Sequence, residues 1–144
     1  MRWWLDTRDK PGLLWAFLRH FVGVGRVSFE GGLQKLGILE LPGATYDETD
    51  LLKRQTLSPR QDFVIVPIAP ETIASLKRNL SAPGLFSNAL LHVQIEHQGQ
   101  LVLGAYDHFH RECVVAYKPV PQSFLEELVS SGVLRSYQQA SHDT

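Results

Sequence analysis

The chain is poor in the features that usually announce a function. It has one cysteine in 144 residues. An internal disulfide is therefore excluded, and a reducing compartment is expected. Long hydrophobic runs are missing. The longest, from Gly12 to Val24, is broken by Arg19 and His20 and is too short to span a bilayer. The opening Met1-Arg2-Trp3-Trp4-Leu5-Asp6 lacks the charged, apolar and cleavage segments of a signal peptide. A cytoplasmic protein with no membrane partner is expected. Charge of one sign is also lacking: the net charge is −1, and Lys and Arg are scattered rather than gathered in a stripe. A nucleic-acid partner is disfavoured accordingly. No internal repeat, low-complexity run or linker appears.

The remaining composition is ordinary for a globular domain, with 44% apolar and 20% charged residues. The length suits one domain with one core. The clearest pattern lies in Asn88–Tyr117, which holds four of the six histidines and the cysteine. Leu91, Val93 and Ile95 alternate with His92, Gln94 and Glu96, the period of a half-buried strand. Gln98-Gly99 breaks the run. Gly99 supplies the positive φ of a hairpin turn, whereas Gln98 suits the first turn position poorly and leaves room for a longer loop. Leu101, Leu103 and Ala105 then alternate with Val102, Gly104 and Tyr106, a strand apolar on both faces. Asp107–Glu112 reads as a polar loop, and Cys113–Tyr117 as a further strand ended by Pro119 and Pro121.

Elsewhere, Trp3-Trp4-Leu5 reads as an opening strand. Asp9 is a candidate N-cap for a helix over Pro11–Val22 whose apolar face is Leu13, Leu14, Phe17, Leu18 and Phe21. Gly23-Val24-Gly25 superficially matches a dinucleotide-binding turn. It follows a helix and leads into a strand, the reverse of what that turn requires, so no cofactor is expected. Arg26–Glu30 alternates as a strand. Leu33–Asp50 reads as a long surface loop, Leu51–Leu57 as either helical turn or strand, and Phe63–Ile68 as a strand buried on both faces. A helix begins at Pro70. A last helix begins near Pro121 or at a Ser123–Glu126 capping box, and Gly132 closes it.

These elements predict a single α+β domain over residues 1–137, with 138–144 a frayed tail. Its sheet is mixed or mainly antiparallel, of roughly five to seven strands, with about three helices packed on one side.

Three groups of residues are candidates for function. Asp107, His108, His110, Glu112 and Cys113 bring carboxylate, imidazole and thiol together, the donor types that bind zinc. No second pair at metal-ligand spacing accompanies them, and no metal is expected. The same loop offers Cys113 as a nucleophile with a His base, against the plain reading of a small buried residue beside Val114. Asp47, Glu48 and Asp50, with Glu40, form an acidic loop suited to a basic partner or to solvent alone. Trp3 and Trp4 are adjacent, so on one strand they cannot both face inward; one is left for an interaction.

The stretches Gly104-Ala105-Tyr106-Asp107-His108-Phe109-His110-Arg111-Glu112-Cys113-Val114 and Gly132-Val133-Leu134-Arg135-Ser136-Tyr137 resemble small bacterial proteins found beside secreted toxins. That resemblance implies an immunity protein, a cytoplasmic domain that binds and blocks one toxin. The leading expectation is therefore a non-enzymatic binding protein whose protein partner meets Asp47, Glu48, Asp50, Tyr106, Asp107, His108 and His110. The alternatives are a small hydrolase or transferase built on Asp107, His108, His110 and Cys113, and a subunit that forms homodimers through a strand edge.

Overall fold

The computed structural model describes residues 1–140. In chain order the elements are β1 (Arg2–Thr7), α1 (Lys10–His20), β2 (Gly25–Gly31), β3 (Asp62–Pro67), α2 (Pro70–Asn79), α3 (Leu85–Asn88), β4 (Leu90–His97), β5 (Gln100–Ala105), β6 (Val114–Tyr117), α4 (Gln122–Ser130) and β7 (Leu134–Gln139). The strands form one seven-stranded sheet in the order β3-β2-β4-β5-β6-β1-β7. Every neighbouring pair is antiparallel. The architecture is the α+β type that the sequence predicts, with an entirely antiparallel sheet.

Alternation sorts the strand residues onto two faces. Trp3, Leu5, Val27, Phe29, Val64, Val66, Val93 and Ile95 pack against Leu14, Phe17, Ile73, Leu76, Phe86, Phe124 and Leu125 of the helices in one core. All four helices therefore lie on one face. α1 starts as read: Asp9 caps it by accepting from Gly12 N–H at 2.9 Å, with Pro11 in its first turn. The close of α4 also matches: Gly132 has φ +83°, and Gly132 and Val133 N–H bond back to Val129 and Leu128 C=O. Its start differs. Pro121 itself is the N-cap, with no side-chain bond and no capping box.

Several local expectations are corrected. The hairpin turn is two residues after all, with Gln98 at φ 52° and Gly99 at φ 76°, the paired left-handed geometry that matches strand twist. A bulge between Ile95 and Glu96 pairs Ile95 with Leu103 and Glu96 with Leu101. Val102 is the extra residue and joins Leu103 in the main core, while Leu101 packs on the opposite face. At the other end of β4, Leu90 is fully buried, and Leu91 is only half-buried. The loop before β4 contains the short helix α3.

The segment from Leu33 to Gln61 has no strand or helix, yet it is not merely a surface loop. Leu33, Ile38 and Leu41 are buried in the main core. The C-terminal tail is the largest correction. Gln138 and Gln139 belong to β7, which pairs with β1 through Trp4↔Gln138 and Trp3↔Gln139, and Ala140 N–H bonds to Arg2 C=O. A strand as polar as Leu-Arg-Ser-Tyr-Gln-Gln is viable because it lies at the sheet edge. Residues 141–144 of the expected tail lie outside the described residues. Among the described residues, no helix is long and apolar enough to cross a membrane.

Candidate functional site

The face turned away from the helices carries the polar half of the alternation. On β2 these are Ser28 and Glu30, and on β4 His92, Gln94 and Glu96. Four of the five are buried: Ser28, Glu30, Gln94 and Glu96. Their cover is the irregular segment after Thr45, which bridges to Ile65 of β3 and then crosses the sheet. Leu52 anchors that crossing in a second apolar cluster with Phe63 and Ile65.

Two of the buried polar groups, Glu30 and Gln94, bond to the backbone of this cover. Glu30, only 1% exposed, accepts from Gln55 N–H at 2.8 Å and from Thr56 N–H at 3.2 Å. Gln94 accepts from Lys53 N–H at 3.0 Å through its side-chain oxygen. Its amide donates to Tyr106 Oη at 3.1 Å. Arg26 donates to Glu96 at 2.5 Å. Glu30 is tolerated this deep because each of its two oxygens accepts a backbone N–H.

His92 joins the cover to the loop after β5. Asp107 N–H donates to its Nδ1 at 3.1 Å, and Thr56 Oγ1 lies 2.8 Å from its Nε2. Because Nδ1 accepts, the neutral ring carries its proton on Nε2 and donates it to Thr56. Burial lowers the His92 pKa, against the opposing pull of the Glu30 and Asp107 carboxylates.

The Asp107–Glu112 loop is ordered. Asp107, His108 and Phe109 have φ values of 55°, 59° and 58°, a run of left-handed residues with no glycine. Each such residue costs about 1–2 kcal/mol. The loop is held by Phe109, buried in the main core, and by Lys10 Nζ donating to His108 C=O at 2.8 Å. His108 N–H donates to Leu91 C=O at 2.8 Å, and His108 Nδ1 lies 3.0 Å from Leu90 C=O.

Tyr106 lies flat over Gly104, where a Cβ would come within 2.5 Å of its hydroxyl oxygen. Burial, reinforced by the hydrogen bond with Tyr106, pushes the Tyr117 hydroxyl well above the usual tyrosine range. Gly104 is thus required by the ring packed on it.

The predicted site residues separate into two sets. Tyr106, Asp107, His108 and His110 are together on the ordered turn. Asp47, Glu48 and Asp50 are exposed on the covering segment, and Thr56 is the residue of that segment that reaches His92. Glu48 accepts from Arg54 N–H at 2.7 Å. Cys113 is half-buried just before β6. Burial, then Asp107 and Glu112, push its thiol up, the reverse of what a nucleophile needs. His108 and His110 direct their Nδ1 atoms to backbone groups, the latter accepting from Glu112 N–H at 3.2 Å. Among the described residues, no group of three or more His, Cys, Asp or Glu is placed to hold a metal ion.

Glu30, His92, Gln94 and Tyr117 are missed by sequence reasoning. Alternation marks the first three as the face opposite the core, which reads as solvent. Only the crossing of a distant segment buries them. Comparison with protein families, with curated proteins and with solved structures finds no match.

Proposed function

We propose that this is a non-enzymatic binding protein of the toxin-immunity kind, acting in the bacterial cytoplasm, which holds a basic protein partner and blocks it. One observation carries this reading. The buried Glu30 and Gln94 side chains and the half-buried His92 accept hydrogen bonds from the backbone of two loops, at Lys53, Gln55, Thr56 and Asp107. The sheet face therefore serves as a scaffold that fixes the loops in shape. Loops held this way lose little freedom on binding, which favours recognition.

The groups left to solvent are Asp47, Glu48 and Asp50 on one loop and Asp107 and His110 on the other. Exposed carboxylates steer association with a basic surface. The resemblance of the 104–114 stretch to immunity proteins supports a toxin as that partner.

The test is capture from the native host at low salt, with wild-type protein and an Asp47→Lys/Glu48→Lys/Asp50→Lys variant as parallel baits. One stoichiometric partner, inhibited by wild type and bound about tenfold or more weakly by the variant, supports the reading. Equal capture by both baits overturns the acidic face. A captured partner whose activity is untouched overturns the inhibitory role.

A further inference from the structure

The connection from α2 to α3 leaves a hollow on the helix side of the sheet. It is a cavity of about 540 Å³, walled by the loop 81–84, the last turn of α2 and the start of α1. Pockets for small organic ligands run from about 300 to 1,000 Å³, so this one has room for more than a bare ion.

The lining has two characters. The deeper part is apolar and aromatic. Leu80 and Phe86 are buried, and half-buried Trp15 of α1 meets the Phe86 ring edge-on at 6.2 Å. An indole left partly open on an apolar base is a platform for a flat ring.

The outer part is cationic. Arg8, Lys10 and Lys77 line it against one carboxylate, Asp9. Asp9 Oδ1 is already engaged, since it caps α1 through Gly12 N–H at 2.9 Å. The Arg8 guanidinium and the Lys77 ammonium make no hydrogen bond or ion pair among the described residues. Lys10 is fixed in place: its part-buried ammonium donates to His108 C=O at 2.8 Å. A carbonyl carries no net charge, and an ammonium has three N–H groups, so the charge and two donors stay available.

Three cations against one engaged carboxylate leave a positive excess beside an aromatic base. A dianion with a ring attached answers both halves at once. A phosphate monoester is close to dianionic at neutral pH, with its second pKa at about 6. Arginine takes phosphate through a two-pronged bond and lysine as a point charge.

We propose that this cavity binds a phosphate monoester that carries a flat ring, a ligand of nucleoside monophosphate size. The phosphate sits among Arg8, Lys10 and Lys77, and the ring lies against Trp15 and Phe86. The cavity is on the helix side of the sheet, whereas Asp47, Glu48 and Asp50 belong to the segment that crosses the other side. The site therefore stands without the partner reading.

Calorimetric titration of the full chain at low salt tests it. The probes are the four nucleoside 5′-monophosphates, with inorganic phosphate and the four nucleosides as controls. At least one monophosphate should bind with a Kd of about 1 mM or tighter, and about tenfold more tightly than phosphate or its own nucleoside. No binding by any of the four overturns the proposal. Phosphate binding as tightly as the monophosphate overturns the part given to the ring, and an equally tight nucleoside overturns the part given to the cations. Amide chemical shifts locate the ligand. They should move in residues 8–15 and 77–87. Shifts gathered instead at Arg2 and Lys118, which line another cavity, overturn the proposed site. Arg8→Glu/Lys77→Glu changes two exposed side chains and should keep the wild-type circular dichroism spectrum. It should weaken binding about tenfold or more, and an unchanged affinity overturns the proposal. If that variant fails to fold, the shift map of the wild type decides alone.

Discussion

His92 shows most directly how one residue holds two parts of this protein together. Its Nδ1 accepts from Asp107 N–H, which an imidazolium cannot do. Burial lowers its pKa from the ordinary value near 6.5, so the folded chain keeps the ring neutral where the unfolded chain protonates it. Over that window the unfolded state binds more protons. His92 therefore contributes stability above about pH 6.5, and this is lost as pH falls through the lowered folded value. In His92→Asn, the side-chain oxygen replaces Nδ1 as acceptor but does not titrate. Urea midpoints at about pH 7.5 and pH 5.5 should differ less for this variant than for wild type. An equal drop in both would locate the pH dependence elsewhere. Asp107, His108 and His110 are legible in the sequence as a polar group after an apolar strand. The role of His92 is not, since alternation alone cannot tell a solvent-facing histidine from one beneath a distant loop.

Among the elements, the turn at Asp107–Phe109 departs furthest from sequence rules. Its left-handed residues carry no glycine, and composition alone indicates only a loop. Tertiary contacts impose the conformation: buried Phe109, the Lys10 bond to His108 C=O and the His92 bond to Asp107 N–H. Asp107 is exposed, so substitutions there report mainly on backbone preference. Asp107→Gly relieves the steric penalty, and Asp107→Val increases it through a branched Cβ. The Gly variant should be more stable than the Val variant by about 2 kcal/mol in denaturant titration. Equal stabilities would mean that the turn relaxes out of the left-handed region. β7 teaches a related lesson. Its polar sequence carries no strand signal, and its pairing with β1 supplies one.

At the scale of the molecule, two cores lie on the two sides of one sheet. The larger joins sheet to helices. The smaller, of Leu52, Phe63 and Ile65 with Leu101 against it, pins the covering segment. Leu52 is fully buried although its segment has no regular structure. Leu52→Ala should cost about 2–4 kcal/mol. Hydrogen exchange at Lys53, Gln55 and Thr56 should rise more than in the helices, because those amides bond to Gln94 and Glu30 only while the segment stays down. A uniform rise across the chain would show that the segment opens only with global unfolding.

The sequence by itself determined the elements whose signals are local. The period-two strands β2 and β4, the capped and apolar-faced α1, the Gly132 close of α4 and the single α+β domain all follow from spacing and backbone preference within a few residues. It also determined that only one of Trp3 and Trp4 enters the core. The tertiary structure alone decided what depends on distant segments meeting. It chose an all-antiparallel order with β1 between β6 and β7, and it made a strand of the polar C-terminal run. It buried Glu30 and Gln94 beneath residues 53–56 and left Trp4 exposed. The physical reason is the range of the interactions. Backbone preference and side-chain alternation act between near neighbours, whereas burial and the pairing of polar groups depend on whichever segment lies across them.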